Sequence, residues 1–267
     1  MATGKRGEIR VGIGGWTFEP WRGVFYPEKL PQKDELAYAG SRLTAIEING
    51  TFYGSQKPES FRKWRRETPD GFVFSMKGPR FATNRRVLVE AGDSVKRFLD
   101  SGITELGPKL GPINWQLAAT KKFDPDDVAA FLQLLPAEQD GHRLRHVIEA
   151  RHASFMVPEF IALLRERGVA AVFADEPDYP YFFDPTASFV YLRLQCASEA
   201  EPIGYAPQVL DDWAARAKAW AAGQMPTGLP LVGAPAQAEP RDVFLFMING
   251  HKPKAPAAAM ALIERLG

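Results

Sequence analysis

Residues 44–77, TAIEINGTFYGSQKPESFRKWRRETPDGFVFSMK, contain two short apolar runs on either side of a segment with helical spacing. The two runs, TAIEIN and GFVFSMK, have the length and residue types of buried strands. Between them, Pro58 suits the first turn of a helix, and Phe61, Trp64 and Arg65 lie at helical spacing. A strand, a helix and a second strand in this order predict two parallel strands joined by a right-handed crossover.

The same alternation extends along the chain in both directions. Eight β-rich runs occur in order: IRVGIGG, LTAIEIN, GFVFSMK, GPINWQL, RHVIEAR, VAAVFAD, FVYLRLQ and DVFLFMIN. Most are followed by a helical segment, so we predict an α/β fold, a single (β/α)8 TIM-type barrel, with a doubly wound open sheet as the alternative. Residues 1–8 are predicted to be an N-terminal tail and residues 9–267 the single barrel domain.

Two segments break the alternation. After the sixth strand, EPDYPYFFDPTAS, residues 176–188, has too many prolines for a good helix, and we expect that helix to be reduced or missing. Before the eighth strand, residues 223–240 are rich in Pro, Ala and Gly. We interpret this second segment as a surface loop on the face away from the usual barrel active site.

Composition restricts the function classes. Lys and Arg total 33 against 32 for Asp and Glu, so the net charge of +1 gives no overall attraction to nucleic acid or to an anionic membrane. The single cysteine, Cys196, excludes an intramolecular disulfide and a Cys-rich zinc site, and it is typical of an inert small side chain. The first ten residues lack the apolar core of a signal peptide, and no apolar run reaches membrane-spanning length. We therefore expect a cytoplasmic protein without a membrane partner.

Polar residues stand at the ends of the predicted strands, where barrels of this type place their sites. The pairs Glu47 with Asn49, Glu149 with Arg151, and Arg193 with Gln195 are each spaced by two residues, which puts both members on one strand face. Single polar residues close or nearly close four more strands: Lys77, Gln116, Asp175 and Asn249. One interpretation is a functional site, and the other is an ion-pair network that only plugs the barrel mouth.

Other motifs carry weaker signals. His152 is either a general acid or base or a loop histidine. A zinc or manganese site from Glu47, Glu149, His152 and Asp175 is conceivable, but no spacing motif supports it, so the metal and cofactor requirements stay open. The basic loop KGPRFATNRR, residues 77–86, is either an anion-binding loop or a solvated one. The glycines of GIGGWTF have neither phosphate-loop nor dinucleotide spacing.

Seven motifs in order resemble the YecE-like family, domain of unknown function 72: GGWTFEPWRGVFYP, EINGTFY, GFVFSMKGPR, LGPINWQL, EARHASF, FVYLRL and FLFMIN. The resemblance runs from about Ile9 to the C-terminus, implies a (β/α)8 barrel and implies no established reaction. It places the family's polar positions on Glu47, Asn49, Lys77, Gln116, Glu149, Arg151, His152 and Arg193. Gln195 and Ile248 depart from the family pattern, which has His and Asn there, and Ala118 and Phe155 replace a common Pro and Trp.

We weigh three functions. The first is an enzyme, a hydrolase, isomerase or lyase, acting on a small anionic, phosphorylated or carboxylated, sugar-like substrate. Its catalytic candidates are Glu47, Glu149 and His152, and its substrate-binding candidates are Asn49, Lys77, Gln116, Arg151, Asp175, Arg193, Gln195 and Asn249. The alternative is a nucleic-acid-processing or nucleic-acid-binding barrel that uses the basic loop and aromatic residues. The third is a non-catalytic ligand- or partner-binding module, and the oligomeric state is left open.

Overall fold

The computed structural model describes residues 6–267, in which eight parallel strands close into a barrel. The register pairs Ile9 with Val243, so the first and last strands join and complete the ring. The (β/α)8 prediction is therefore confirmed, and the open-sheet alternative is wrong. The strands are β1 (Ile9–Gly14), β2 (Ala45–Ile48), β3 (Val73–Lys77), β4 (Leu110–Gln116), β5 (His146–Glu149), β6 (Ala170–Ala174), β7 (Phe189–Leu194) and β8 (Asp242–Met247).

The helices form the outer layer around these strands. They are α1 (Glu35–Arg42), α2 (Gly50–Tyr53), α3 (Pro58–Glu67), α4 (Arg80–Thr83), α5 (Gly92–Leu99), α6 (Pro125–Gln133), α7 (Pro158–Arg167), α8 (Pro207–Ala221) and α9 (Ala255–Leu266). Proline stands in the first turn of α3, α6, α7 and α8, where its missing N–H costs nothing. Asp124 caps α6 through the backbone N–H of Asp127, and Gly168 ends α7 with a positive φ of 61°.

The helix after β6 is missing, as the prolines predict. In its place the chain buries Phe182 and Phe183 against the core. The carboxylate of Asp184 accepts hydrogen bonds from the backbone N–H groups of Val232 and Gly233, both at 2.8 Å. This loop is thereby tied to the Pro-rich segment that precedes β8.

The barrel interior changes character along its axis. Its lower layers are apolar and include Val147, Val172, Phe189 and Phe244. Toward the carboxyl ends of the strands the interior side chains become charged or polar, and this upper layer holds the candidate site. Of the predicted tail, residues 1–5 lie outside the described range. Among the helices described, none combines the length and apolar character that crossing a membrane requires.

Candidate functional site at the barrel mouth

Arg193 on β7 lies at the centre of a buried ion cluster. Its Nη1 donates to both carboxylate oxygens of Glu149 on β5, at 2.8 and 2.7 Å. Its Nη2 and Nε donate to the two oxygens of Glu47 on β2, at 3.0 and 3.1 Å. No more than 2% of any of the three side chains is exposed. An unpaired ion is costly in a buried site, so the pairing with this one guanidinium explains how two carboxylates can lie inside the barrel.

Glu47 accepts a third hydrogen bond from the strand that carries Arg193. The Tyr191 hydroxyl donates to Glu47 Oε2 at 2.7 Å, and Ser75 Oγ lies 2.6 Å from the Tyr191 oxygen. Both carboxylate oxygens of Glu47 therefore accept hydrogen bonds. This explains how the apolar run of β2 accommodates a carboxylate with no solvent exposure.

Glu149 is surrounded by cations and a side-chain amide. Asn114 Nδ2 donates to it at 2.9 Å and Arg151 Nε at 2.8 Å. Burial raises the pKa of Glu149, but the positive charges of Arg193, Arg151 and Lys77 outweigh burial and lower the pKa to about 2. Glu149 is thus ionised at neutral pH, and a carboxylate of such low pKa is a weak proton acceptor.

Lys77 and Arg151 form the rim of the cluster and meet at Gln116. Gln116 Oε1 accepts a hydrogen bond from the Lys77 ammonium and one from Arg151 Nη2, the latter at 2.8 Å. The Lys77 ammonium also lies 4.3 Å from the centre of the Phe52 ring. Burial and the nearby Arg193 charge lower the pKa of Lys77 to about 8. The Arg151 guanidinium lies over the Tyr179 ring.

A second polar group lies where β6 and β7 end. The Asp175 carboxylate accepts hydrogen bonds from the Gln195 backbone N–H and, at 3.2 Å, from the Tyr205 hydroxyl. Burial raises the pKa of Asp175 to about 6. The Gln195 side chain is only 4% exposed, and its Nε2 has no hydrogen-bond partner within residues 6–267. Burial and the Asp175 charge raise the pKa of the Cys196 thiol to about 11, which makes it a poor nucleophile at neutral pH.

Three predicted site residues lie apart from the cluster. His152 Nδ1 accepts from the backbone N–H of Ser154 at 3.1 Å, so this ring atom caps a short 3-10 helix. Asn49 is half-buried beside Gly14, and Asn249 is exposed. Within the described part of the chain, none of the three side chains hydrogen-bonds to the ion cluster. The structure therefore brings together Glu47, Glu149, Arg151, Arg193, Lys77 and Gln116.

Sequence reasoning missed Ser75, Asn114, Tyr191 and Tyr205. The first three stand two residues before Lys77, Gln116 and Arg193, so each shares a strand face with a predicted residue. Following the two-residue period inward from the strand ends would have found them. Tyr205 lies in the loop between β7 and α8 and has no such signal.

A metal site from Glu47, Glu149, His152 and Asp175 has no geometric support. No group of three or more His, Cys, Asp or Glu side chains in residues 6–267 is arranged to hold a metal ion. The carboxylates of Glu47 and Glu149 are instead bound by Arg193.

The fold and this mouth define a TIM-barrel protein with a buried ion cluster at the carboxyl ends of its strands. The family described as "Protein of unknown function DUF72" matches residues 10–267, and the chain belongs to that family. This confirms the resemblance seen in the seven sequence motifs. The reaction and substrate of the family are not established.

Relatives and solved structures agree with this assignment. The chain is similar to the UPF0759 protein YecE of Escherichia coli K12, with 30% identity over 175 residues, and the match spans 62% of this chain and 59% of YecE. A DUF72 family protein from Thermotoga maritima aligns with a TM-score of 0.73 and 23% identity over 97% of this chain and 99% of that one. Endonuclease IV from Thermus thermophilus aligns with a TM-score of 0.50 and 13% identity over 96% and 99% of the two chains. At these identities both structural likenesses show the fold alone.

Proposed function

We propose that the barrel mouth binds a small anionic, sugar-like molecule and that the protein is an enzyme that acts on it by proton transfer. One observation carries the proposal: Arg193 already binds both buried carboxylates, while Lys77, 7% exposed, and the half-buried Arg151 add two cations at the same strand ends. Three cations, Arg193, Arg151 and Lys77, face two carboxylates, so the cluster has one net positive charge when Lys77 is protonated. An ion cluster that only stabilised the fold would not need this excess of positive charge.

The rim cations differ in what they offer to an anion. Arg151 presents a planar guanidinium whose Nη1 donates to no described residue, and Lys77 presents a compact ammonium with donors to spare. Arg193, in contrast, anchors the two carboxylates and acts as a positioning residue. The unpartnered Nε2 of Gln195 suits a substrate oxygen, because a buried amide donor without a partner is costly.

Asp175 is the carboxylate best suited to move a proton. Its pKa of about 6 lies nearer to neutral pH than the value of about 2 for Glu149. A general base is most effective when its pKa is close to the working pH. We assign Asp175 as the base and Lys77 and Arg151 as the anion-binding pair, whereas His152, whose Nδ1 caps a 3-10 helix, is left out of the proton transfer. Hydrolysis, isomerisation and elimination each use such proton transfers.

Binding measurements test the anion site. The variants Lys77→Met and Arg151→Gln are titrated calorimetrically against phosphate esters and sugar acids, beside wild type. We expect an affinity loss of about tenfold or more for each, because a charge-assisted hydrogen bond is removed. Arg167→Gln, exposed at the last turn of α7 on the opposite face, is the control that keeps wild-type affinity. Unchanged affinity in both rim variants would place the anion elsewhere.

The affinity of the mouth for an anion is expected to depend on pH. Lys77 carries its charge below its pKa of about 8 and loses it as the pH rises through that value. The affinity of wild type for a bound anion should therefore fall above pH 8, whereas Lys77→Met should lack this fall. A flat affinity across this range in wild type contradicts a role for the Lys77 charge.

A second candidate function is supported by exposed aromatic rings on the same face. Tyr53 and Phe81 are 65% and 61% exposed, and the Arg80 guanidinium lies 5.8 and 5.5 Å from their ring centres. Exposed aromatic rings beside cations suit the bases and phosphates of single-stranded nucleic acid. Fluorescence titration with a labelled oligonucleotide at low salt tests this, and Tyr53→Ala should weaken the binding. Absence of binding at low salt removes the candidate.

A further inference from the structure

A basic cleft of about 650 Å³ lies beside the mouth, between the loops that follow β3 and β4. Four cationic side chains line it, namely Arg85, Arg86, Lys121 and Lys122, together with the carboxylate of Asp124. Asp124 already accepts the backbone N–H of Asp127 at 3.1 Å as the cap of α6. The cleft thus has an excess of positive charge that the ion cluster does not use.

The cleft is held in shape by an ion pair beneath it. Lys121 Nζ pairs with the carboxylate of Asp127 and donates to the Arg86 carbonyl at 2.7 Å. The same carboxylate accepts the backbone N–H of Leu88 at 2.7 Å and that of Val89 at 3.2 Å. These bonds join the loop after β3 to the start of α6. Asp127 balances Lys121, so the charge available to a ligand comes from the other cations.

Arg86 and Lys122 are the cations best placed to meet a ligand. Both are exposed, and neither side chain hydrogen-bonds to a described residue. Arg85, in contrast, is fixed by its Nε, which donates to the Phe81 carbonyl at 2.7 Å, and by its Nη2, which donates to Ser94 at 3.2 Å. Arg86 and Lys122 are therefore available to bind an anion, and the side chain of Arg85 beside them is already fixed by hydrogen bonds.

The cleft adjoins the mouth through the strand ends themselves. Lys77 and Gln116, which hydrogen-bond to each other, close β3 and β4, and the cleft is built from the loops that leave these two strands. Ala118, which lines the cleft, is two residues after Gln116, so their Cα atoms are at most about 7.6 Å apart. The wall of the cleft therefore begins two residues beyond a side chain of the mouth.

We propose that the cleft binds a second anionic group of the molecule held at the mouth. The substrate class is then a small molecule with two separated phosphate or carboxylate groups. The volume of about 650 Å³ is that of a site for a whole small molecule, far more than one inorganic anion fills. This inference rests on the proposed function, since the mouth supplies the first anion site.

A small molecule fits the charge distribution better than a polymer does. The whole chain has a net charge of only +1, and Asp124 lies among the cations of the cleft. Binding of a nucleic-acid backbone gains its strength from many phosphate contacts along an extended basic track. Two free cations beside one charged mouth match two anionic groups.

Fructose 6-phosphate and fructose 1,6-bisphosphate are suitable probes, compared by calorimetry at fixed ionic strength. We expect wild type to bind the bisphosphate about tenfold more tightly than the monophosphate, since the second phosphate gains charge-assisted hydrogen bonds. The double variant Arg86→Gln/Lys122→Met should lose this preference and keep the monophosphate affinity. Arg167→Gln is the control that keeps both affinities, and thermal unfolding checks that each variant is folded.

The outcomes separate the two proposals. An equal preference for the bisphosphate in wild type and in the double variant overturns the cleft assignment and leaves the mouth unaffected. Unchanged binding of the monophosphate in Lys77→Met overturns the mouth assignment instead. Failure of wild type to prefer the bisphosphate, or tighter cleft-dependent binding of an eight-nucleotide DNA strand than of the bisphosphate, also overturns the inference.

Discussion

Asp175 and Glu149 are both carboxylates at strand ends, yet their surroundings shift their pKa values in opposite directions. Burial raises the pKa of Asp175 to about 6, since the hydrogen bonds from a backbone N–H and a hydroxyl offset only part of the effect of burial. Glu149 is also buried, but three cations lower its pKa to about 2. Two carboxylates in one barrel can therefore take different roles, one as a fixed charge and the other as a proton carrier.

Asp175→Asn tests this difference through stability. Because its pKa is raised, Asp175 contributes to the free energy of unfolding. This contribution is fully present below pH 3.8 and is lost as the pH rises through about 6. The variant lacks this loss, so the free energy of unfolding of wild type minus that of the variant should fall by about 1–2 kcal/mol as the pH rises from below 3.8 to above 6. Urea unfolding of both proteins across this pH range measures the difference. A wild-type minus variant free energy that does not change with pH contradicts the raised pKa.

The positions of the site residues in the fold were predictable from sequence, but their hydrogen-bond partners were not. Glu47 and Arg193 could be assigned to the mouth because polar residues at strand ends meet there. They are 146 positions apart, and no local pattern indicates that one guanidinium binds both Glu47 and Glu149. The sequence predicted Arg193 either as an anion-binding residue or as part of an ion-pair network, and the structure shows its donors directed at two carboxylates.

At the scale of single elements, the end of β3 depends on its close approach to the neighbouring strand β4. Gly78 follows Lys77 and lies against Trp115 of β4, where an added Cβ would be 2.3 Å from the indole ring. The Thr51 hydroxyl at the start of α2 donates to the Lys77 carbonyl at 2.7 Å. The backbone that carries the rim lysine is thereby fixed from both sides.

Gly78→Ala is expected to destabilise the protein by about 1–3 kcal/mol, because Trp115 is fully buried and cannot move aside. Gly54→Ala is the matched control, since an added Cβ there meets nothing within 4 Å. Chemical denaturation of the two variants gives the difference in unfolding free energy. Equal stability of the two variants would show that the Trp115 ring yields at little cost.

The elements differ in how well sequence predicts them. The strands were recognisable because each is an apolar run between turn residues, and the helix lost after β6 was recognisable from its prolines. The short helices α2 and α4 were not predicted. With four residues each, they are too short to show a repeated apolar face.

For the whole molecule, the ion cluster joins strands from different sides of the barrel. Arg193 on β7 binds Glu47 on β2 and Glu149 on β5, and Tyr191 connects β7 to Ser75 on β3. Removal of the guanidinium would leave two buried carboxylates without their main partner. The loss of stability would therefore affect the closed barrel as a whole and not a single strand.

Arg193→Met is expected to lower the free energy of unfolding by about 3–5 kcal/mol. The triple variant Arg193→Met/Glu47→Gln/Glu149→Gln should regain part of this loss, because no buried carboxylate is then left unpaired, although Arg151 and Lys77 lose the Glu149 charge. Urea unfolding followed by circular dichroism compares the two, with Arg167→Gln as an exposed control that stays within about 0.5 kcal/mol of wild type. A triple variant no more stable than Arg193→Met would show that the cost comes from lost packing, since charge would then play no part.

The shared guanidinium also limits how this sequence can change over generations. A single replacement at position 47, 149 or 193 leaves an unbalanced charge in the interior, and the intermediate protein would be poorly folded. The three positions are therefore expected to be inherited as a unit, changing together or not at all. The side chains of Arg86 and Lys122 hydrogen-bond to no described residue, so these two positions are expected to change one at a time.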